Sequence, residues 1–210
     1  MPLLRLRLAL LIVAGFALGG ALAVAVLPAA RERFLPVKMQ SAGRALVGGP
    51  FTLTDHTGKR VTDQDFRGRT LIVVFGFTFC PDICPTELQL ISAALDKLGP
   101  KAKHVVPLFI TVDPERDTAD QLASYVKSFH PRLVGLTGSQ AEIDAVAKAY
   151  RAYFKKVPDP KSTAGYTMDH SALIYVMGPD GAYQAHFTPG TSVATLADRL
   201  GELLQANHSL

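Results

Sequence analysis

Cysteine is nearly absent from this chain: there are two in 210 residues, Cys80 and Cys84. Two thiols make no disulfide framework, and they fall short of a structural zinc site, which takes four protein ligands. No cysteine lies near the N-terminal apolar run, so a lipid-modified cysteine is not the anchor. The chain also lacks a basic stripe interleaved with aromatics. Its formal charge is +4, and Lys and Arg are scattered apart from a small group at Arg151, Lys155, Lys156 and Lys161. Nucleic acid is therefore not an expected partner. Internal repeats are missing, as is any low-complexity tract beyond the apolar run. With 48% apolar and 19% charged residues, the chain has the material for one sizeable core in one domain.

Charge is missing altogether from Leu8 to Leu27, between Arg5 and Arg7 on one side and Arg31, Glu32 and Arg33 on the other. About 20 apolar residues match a bilayer core, whereas a signal peptide has roughly 7–15. Residues 1–33 are expected to be a single-pass membrane helix with its flanks, uncleaved although Ala21-Leu22-Ala23 offers a small-residue cleavage site. The more positive N-terminal flank puts the amino terminus in the cytoplasm and the rest outside it. No Arg/Ser-rich transit peptide precedes the run, which favours a bacterial inner membrane with the domain in the periplasm. Residues 34–49, with Pro36, Gly43, Gly48 and Gly49, read as a tether, and residues 50–210 as the domain.

Within the domain, apolar runs and helical periodicities alternate. Phe51 to Leu53 and Arg60 to Thr62 flank a turn and predict a hairpin. Leu71 to Phe75 and Val105 to Val112 are continuous apolar runs, as expected of strands buried on both faces. Between them Leu88, Ile91, Leu95 and Leu98 recur at helical spacing. Pro85 suits the first helical position, and Gly99 ends the run. Thr118 to Gln121 and Ser139 to Glu142 read as capping boxes opening two further helices around a short strand, Val134 to Leu136. Lys155 to Asp169 reads as a loop. Ala172 to Met177 and Ala182 to Phe187 predict a hairpin, and Val193 to Leu204 a last amphipathic helix. Helices between apolar strands require crossovers. The expected fold is α/β and thioredoxin-like: a central, mostly parallel sheet with an antiparallel edge hairpin, flanked by helices.

The two cysteines stand four apart in Phe79-Cys80-Pro81-Asp82-Ile83-Cys84-Pro85, at the C-terminal end of a central strand, where open α/β sheets place their chemistry. Cys84 is the expected N-cap of the following helix, whose dipole favours thiolate. Such a pair can close a disulfide reversibly or hold a soft metal ion, and the spacing does not choose. A purely structural bridge over so short a loop would stabilise weakly. Outside the cytoplasm a thiol reductant must keep the pair reduced if it is to bind metal. The four-residue step is not the Cys-x-x-Cys of thioredoxins. Nor does the stretch fit the peroxiredoxin pattern, since Pro81 and Phe77 stand where Thr and Pro are needed ahead of Cys84. Thioredoxin-like redox proteins carry a cis-proline opposite their thiols, before the closing hairpin. Here that place reads Tyr166-Thr167-Met168-Asp169-His170-Ser171, with a histidine and no proline. Two thiolates and an imidazole form a soft trigonal set suited to Cu(I), and extensible to Cu(II) by an oxygen donor.

Three stretches closely resemble the Sco/SenC family of membrane-anchored copper proteins of cytochrome oxidase assembly. They are Gly76-Phe77-Thr78-Phe79-Cys80-Pro81-Asp82-Ile83-Cys84-Pro85, Val112-Asp113-Pro114-Glu115-Arg116-Asp117-Thr118, and Met168-Asp169-His170-Ser171 followed by Gly178-Pro179-Asp180-Gly181. The resemblance runs from about Gly48 to the C-terminus. Phe77 stands where many members have Tyr, and Ala119 where many have Pro. The resemblance implies copper bound by Cys80, Cys84 and His170. It implies delivery to the dinuclear copper site of cytochrome c oxidase subunit II, or thiol reduction there, with that subunit or its assembly factors as partners. The same thiols also suit a thiol–disulfide oxidoreductase or a redox or copper sensor. Asp169 is a candidate oxygen donor to Cu(II) or orienter of the histidine. Asp113 and Asp82 read as turn or capping residues near the site, and Met168 as packing. His56, His104, His130, His186 and His208 have no cysteine nearby in sequence and are not assigned to metal.

Overall fold

A computed structural model describes residues 46–162 and 164–208. The apolar run Leu8 to Leu27 and most of the expected tether lie outside these residues. No helix among the described residues is long and apolar enough to cross a membrane. The last tether residues are tied to the domain: Gly48 N–H donates to Ala149 O at 3.0 Å, and Arg151 Nε to Leu46 O at 3.0 Å.

Among the described residues there are nine strands and four α-helices. They are β1 Thr52–Asp55, β2 Arg60–Thr62, β3 Thr70–Gly76, α1 Ile83–Leu98, β4 Val105–Thr111, α2 Ala119–Val126, β5 Val134–Thr137, α3 Gln140–Tyr150, β6 Phe154–Pro158, β7 Tyr166–His170, β8 Ile174–Met177, β9 Tyr183–Phe187 and α4 Val193–His208. Seven strands form one sheet in the order β2-β1-β5-β4-β3-β8-β9. Every residue of β3 and β4 is buried, as their unbroken apolar runs predict.

The sheet is less parallel than expected. Only β3 with β4 and β4 with β5 run parallel, while the other four pairings are antiparallel. Helical crossovers, α1 then α2, carry β3, β4 and β5 in one direction, and the tight turns of β1–β2 and β8–β9 make antiparallel pairs at both margins.

A second difference is the stretch Lys155 to Asp169, expected as a loop. It contains most of a separate two-stranded antiparallel sheet, β6 with β7, with Phe154 opposite His170 and Lys156 opposite Met168. Pro158, Pro160 and Gly165 dominate the local signal there, and they fall at the strand ends and the turn. The pairing itself is a contact between residues up to sixteen apart, which periodicity does not reveal.

The caps are partly as expected. Ser139 and Glu142 form the reciprocal capping box of α3. At α2 Thr118 Oγ1 accepts Gln121 N–H at 3.2 Å, but the Gln121 side chain turns away and donates to Thr78 Oγ1 at 3.3 Å.

Candidate metal centre

The loop carrying the thiols leaves the C-terminal end of β3. Side chains alternate along that strand. Phe75 faces α3, its ring 5.5 Å from Tyr150. The next position, Gly76, faces α1, where a Cβ would lie 2.8 Å from both Cys84 Sγ and the Phe109 ring. Glycine there lets the sulfur approach the sheet.

Helix α1 begins at Ile83 with Asp82 as its N-cap, two residues before Pro85. Cys84 is therefore inside the first turn rather than capping it. The first four N–H groups of a helix have no intrahelical acceptor, so Pro85 at the third position forfeits no bond. Cys84 is buried and Cys80 half-buried in the turn before the helix, and both are free thiols.

His170 ends β7, 86 residues after Cys84 in the chain. Its Nε2 lies 3.4 Å from Cys84 Sγ, and its Nδ1 is 3.2 Å from Ser171 O. An Nδ1–H donated to that carbonyl leaves the Nε2 lone pair facing the sulfurs, a common arrangement of metal-binding histidines. The two sulfurs and a ring nitrogen all lie within 4.8 Å of one another. Such a set of donors can hold one soft ion.

Asp169 is not brought into this group. Alternation along β7 turns it to the opposite face from Met168 and His170, and it is exposed across from Lys155. Met168 is buried in the core, as its packing role predicts. Asp82 is exposed and makes no side-chain cap. His56, His104, His130 and His186 lie outside the group. Of these, His56 Nδ1 accepts from Gly135 N–H, and His130 Nδ1 from Arg132 N–H. The side chain of His208 is outside the described residues.

Charge is distributed unequally over the thiols. The Cys84 thiol donates to the Cys80 sulfur and pulls the Cys80 pKa far down against its burial, and His170 and the N–H groups of Cys84 and Asp82 add to this. The same contact, with burial and the adjacent negative sulfur, pushes Cys84 up. In the metal-free pair thiolate is thus favoured on Cys80 over Cys84. Burial alone would depress the His170 pKa, but the Cys80 sulfur, the Ser171 carbonyl and the charges of Cys80 and Glu87 outweigh it and raise it.

Asp117, which the sequence did not single out, and Asp113, read there as a turn or capping residue, complete the surroundings. Asp117, fully buried, accepts Thr78 N–H at 2.9 Å and the hydroxyls of Thr78 and Thr111, both at 2.6 Å. It ties the thiol loop to the end of β4. Asp113 accepts the Tyr166 hydroxyl at 3.0 Å and pairs with Arg116. These residues belong to one of the stretches noted above for family resemblance, but their contacts are with residues tens of positions away.

Glu87, one helical turn beyond Cys84, is 4% exposed, and its Oε1 has no hydrogen-bond partner among the described residues. Burial, opposed by His170 and aided by Cys80, pushes its pKa from 4.5 up to about 7. The folded state then binds a proton that the unfolded state has released. This contribution to stability is fully present below pH 4.5 and is lost as the pH rises through about 7. Glu87→Gln should therefore flatten that slope and stabilise the reduced, metal-free domain at pH 8 by about 2 kcal/mol. Urea unfolding of both proteins at pH 5 and pH 8 checks this. An unchanged slope in the variant would refute the assignment.

The chain is similar to known proteins in sequence and in fold. A family model described as SCO1/SenC matches residues 39–205. The human mitochondrial SCO1 homolog is 44% identical over 178 residues, which cover 82% of this chain and 58% of the human protein, so the match spans little more than half of that relative. The crystal structure of Arabidopsis thaliana ScoI with copper bound has a TM-score of 0.72 at 44% identity, covering 76% of this chain and 99% of that one. The structure of Bradyrhizobium japonicum ScoI with copper bound gives 0.69 at 46% identity, covering 75% and 99%. A shared fold at this identity, with a family match over most of its length, means that this chain belongs to the SCO1/SenC family.

Proposed function

We propose that this protein carries copper as cargo on Cys80, Cys84 and His170 and delivers it to the dinuclear copper site of cytochrome c oxidase subunit II. One observation carries the reading. Two sulfurs and a nitrogen, drawn from a loop, the first turn of α1 and a strand far along the chain, converge within 4.8 Å. Soft thiolates select Cu(I), and the imidazole suits either oxidation state. Relatives of this fold at over 40% identity have been solved with copper bound, in a plant and in a bacterium. Binding replaces thiol protons, and the site begins with one proton already removed from Cys80.

The reading has residues 1–33 as a membrane anchor, 34–49 as a tether and 50–210 as the working domain in the periplasm of a bacterial inner membrane. The charge-free stretch of bilayer length supports the anchor. A reductant of thiol–disulfide type is a required partner in an oxidising compartment.

A second reading is reduction of client cysteines, and the Cys80 thiolate favours it. That sulfur is half-exposed, as an attacking thiolate must be. It would attack a client disulfide and release one client thiolate. Cys84, once deprotonated, would then close on Cys80 and release the second, leaving the client reduced and this pair oxidised.

A strain lacking this protein tests the main reading. Its oxidase subunit II should be depleted of copper, and the full chain should restore it. An exported version without residues 8–27 should restore less. Normal copper content in the deletion strain would sink delivery, and full rescue by the exported version would remove anchoring.

A further inference from the structure

The histidine strand is not hydrogen-bonded into the main sheet. Strands β6 and β7 form their own two-stranded sheet, and such pairs are marginal unless packed against something. Only residues 171–173 link His170 to β8. The thiol loop, for its part, leaves β3 and is not in the sheet either. Something must hold the two at a constant separation.

Arg116, from the β4–α2 connection, reaches both. Its guanidinium carbon lies 4.0 Å from the ring centroid of Tyr166 on β7, 5.0 Å from that of Phe79 beside Cys80, and 5.6 Å from that of Phe77. Its Nε pairs with the Asp113 carboxylate, and its Nη1 donates to Tyr166 O at 3.4 Å. The Tyr166 hydroxyl closes the circuit on the other oxygen of Asp113. The Phe77 ring in turn stands edge-on to the His170 imidazole, with centroids 5.9 Å apart at 89°. Tyr166 and His170 share a face of β7, four residues apart.

The arrangement is costly if stability is its only purpose. The Arg116 side chain is 12% exposed, and its Nη2 is buried with no partner among the described residues. An unmet buried donor costs about 1–3 kcal/mol. What the guanidinium gains is a planar cation among three aromatic rings, two on the thiol loop and one on the histidine strand.

We infer that Arg116 is a positioning residue for the metal centre: held between Phe79 and Tyr166, it sets the separation between the thiol loop and His170. The inference rests on the copper-carrier reading for its purpose, not for its geometry. A lysine cannot replace it, because the role needs a flat, forked group that stacks and bonds at once.

Arg116→Lys keeps the charge and removes the plane. In the reduced, metal-free protein the imidazole nitrogen resonances of His170 should move from their wild-type positions in 1H–15N spectra. With Cu(II), the thiolate charge-transfer band should shift and affinity should fall about 10–100-fold, the usual loss when a group that orients a ligand is removed. Cu(I), held chiefly by the sulfurs, should change less. Wild-type His170 resonances and Cu(II) spectra in a folded Arg116→Lys protein would overturn the inference, since charge alone would then suffice. If that variant does not fold, Phe79→Leu takes its place, because the ring is 49% exposed and its loss leaves the core intact. It should move the His170 resonances in the same direction by less, and unchanged resonances would overturn the inference equally. A wild-type protein that binds no copper would end the carrier reading, while the metal-free spectra still decide the role of Arg116.

Discussion

Oxidising Cys80 and Cys84 to a disulfide is expected to abolish tight Cu(I) binding while leaving the domain folded. The bond removes two electrons from the pair together with the thiol proton still held on Cys84, and neither sulfur then offers a thiolate. His170 would remain as the lone donor of the group. Disturbing a partner of a ligand already costs about 10–100-fold in affinity, so losing two ligands outright should cost more than about 100-fold. The fold should survive for a structural reason. Cys84 is fixed on α1 against Gly76 and Phe109, whereas Cys80 sits in the half-buried turn and can make the closing movement. The ring closed is short, so the bridge itself adds little stability. Competition against a chromophoric Cu(I) chelator, with circular dichroism of both forms, measures this. Equal Cu(I) affinity in the oxidised and reduced domains would remove the sulfurs from the ligand set.

His170→Ala should weaken Cu(II) binding by more than about 100-fold, change Cu(I) less, and leave reduction of a model disulfide nearly intact. His170 contributes the nitrogen of the group, and Cu(II) prefers nitrogen and oxygen donors where Cu(I) is content with sulfur. Dithiol exchange needs the two cysteines and no third ligand. Asp169→Asn, on the far face of β7, should leave both oxidation states as they are. In cells, His170→Ala should impair oxidase copper loading as badly as Cys80→Ser or Cys84→Ser. Normal oxidase activity with His170→Ala, and failure only in the cysteine variants, would favour the reductase reading over the carrier.

Much of this protein is legible locally. The apolar runs of β3 and β4 announce strands buried on both faces, and both are buried at every residue. Ser139 and Glu142 cap α3 as their spacing predicts. The place of the cysteines, between a buried strand and a helix, follows from the order of runs and periodicities. Each of these is decided by residues within a few positions of one another, where steric preference and hydrogen-bond reach act directly. The resemblance carried by the cysteine motif and by His170 added a link that no local rule supplies.

Other features were settled only by packing. Whether Asp169 or His170 faces the thiols depends on the phase of β7, which is set by pairing with β6 and by burial of Met168. The local pattern from Lys155 to Asp169 looked like a loop, so that phase was not legible. The helix starts at Ile83, two residues ahead of Pro85, and the first turn accepts the proline because its N–H groups have no intrahelical acceptor. Glu87 and Arg116 look in sequence like ordinary surface charges. Their burial follows from α1 lying on the sheet and from the β4–α2 connection reaching across to β7. Local pattern specified most of the elements, β6 and β7 excepted, and the family resemblance named the donors. Which donors meet follows from packing, because Cys84 and His170 are 86 residues apart and only the folded domain brings α1 and β7 together at 3.4 Å.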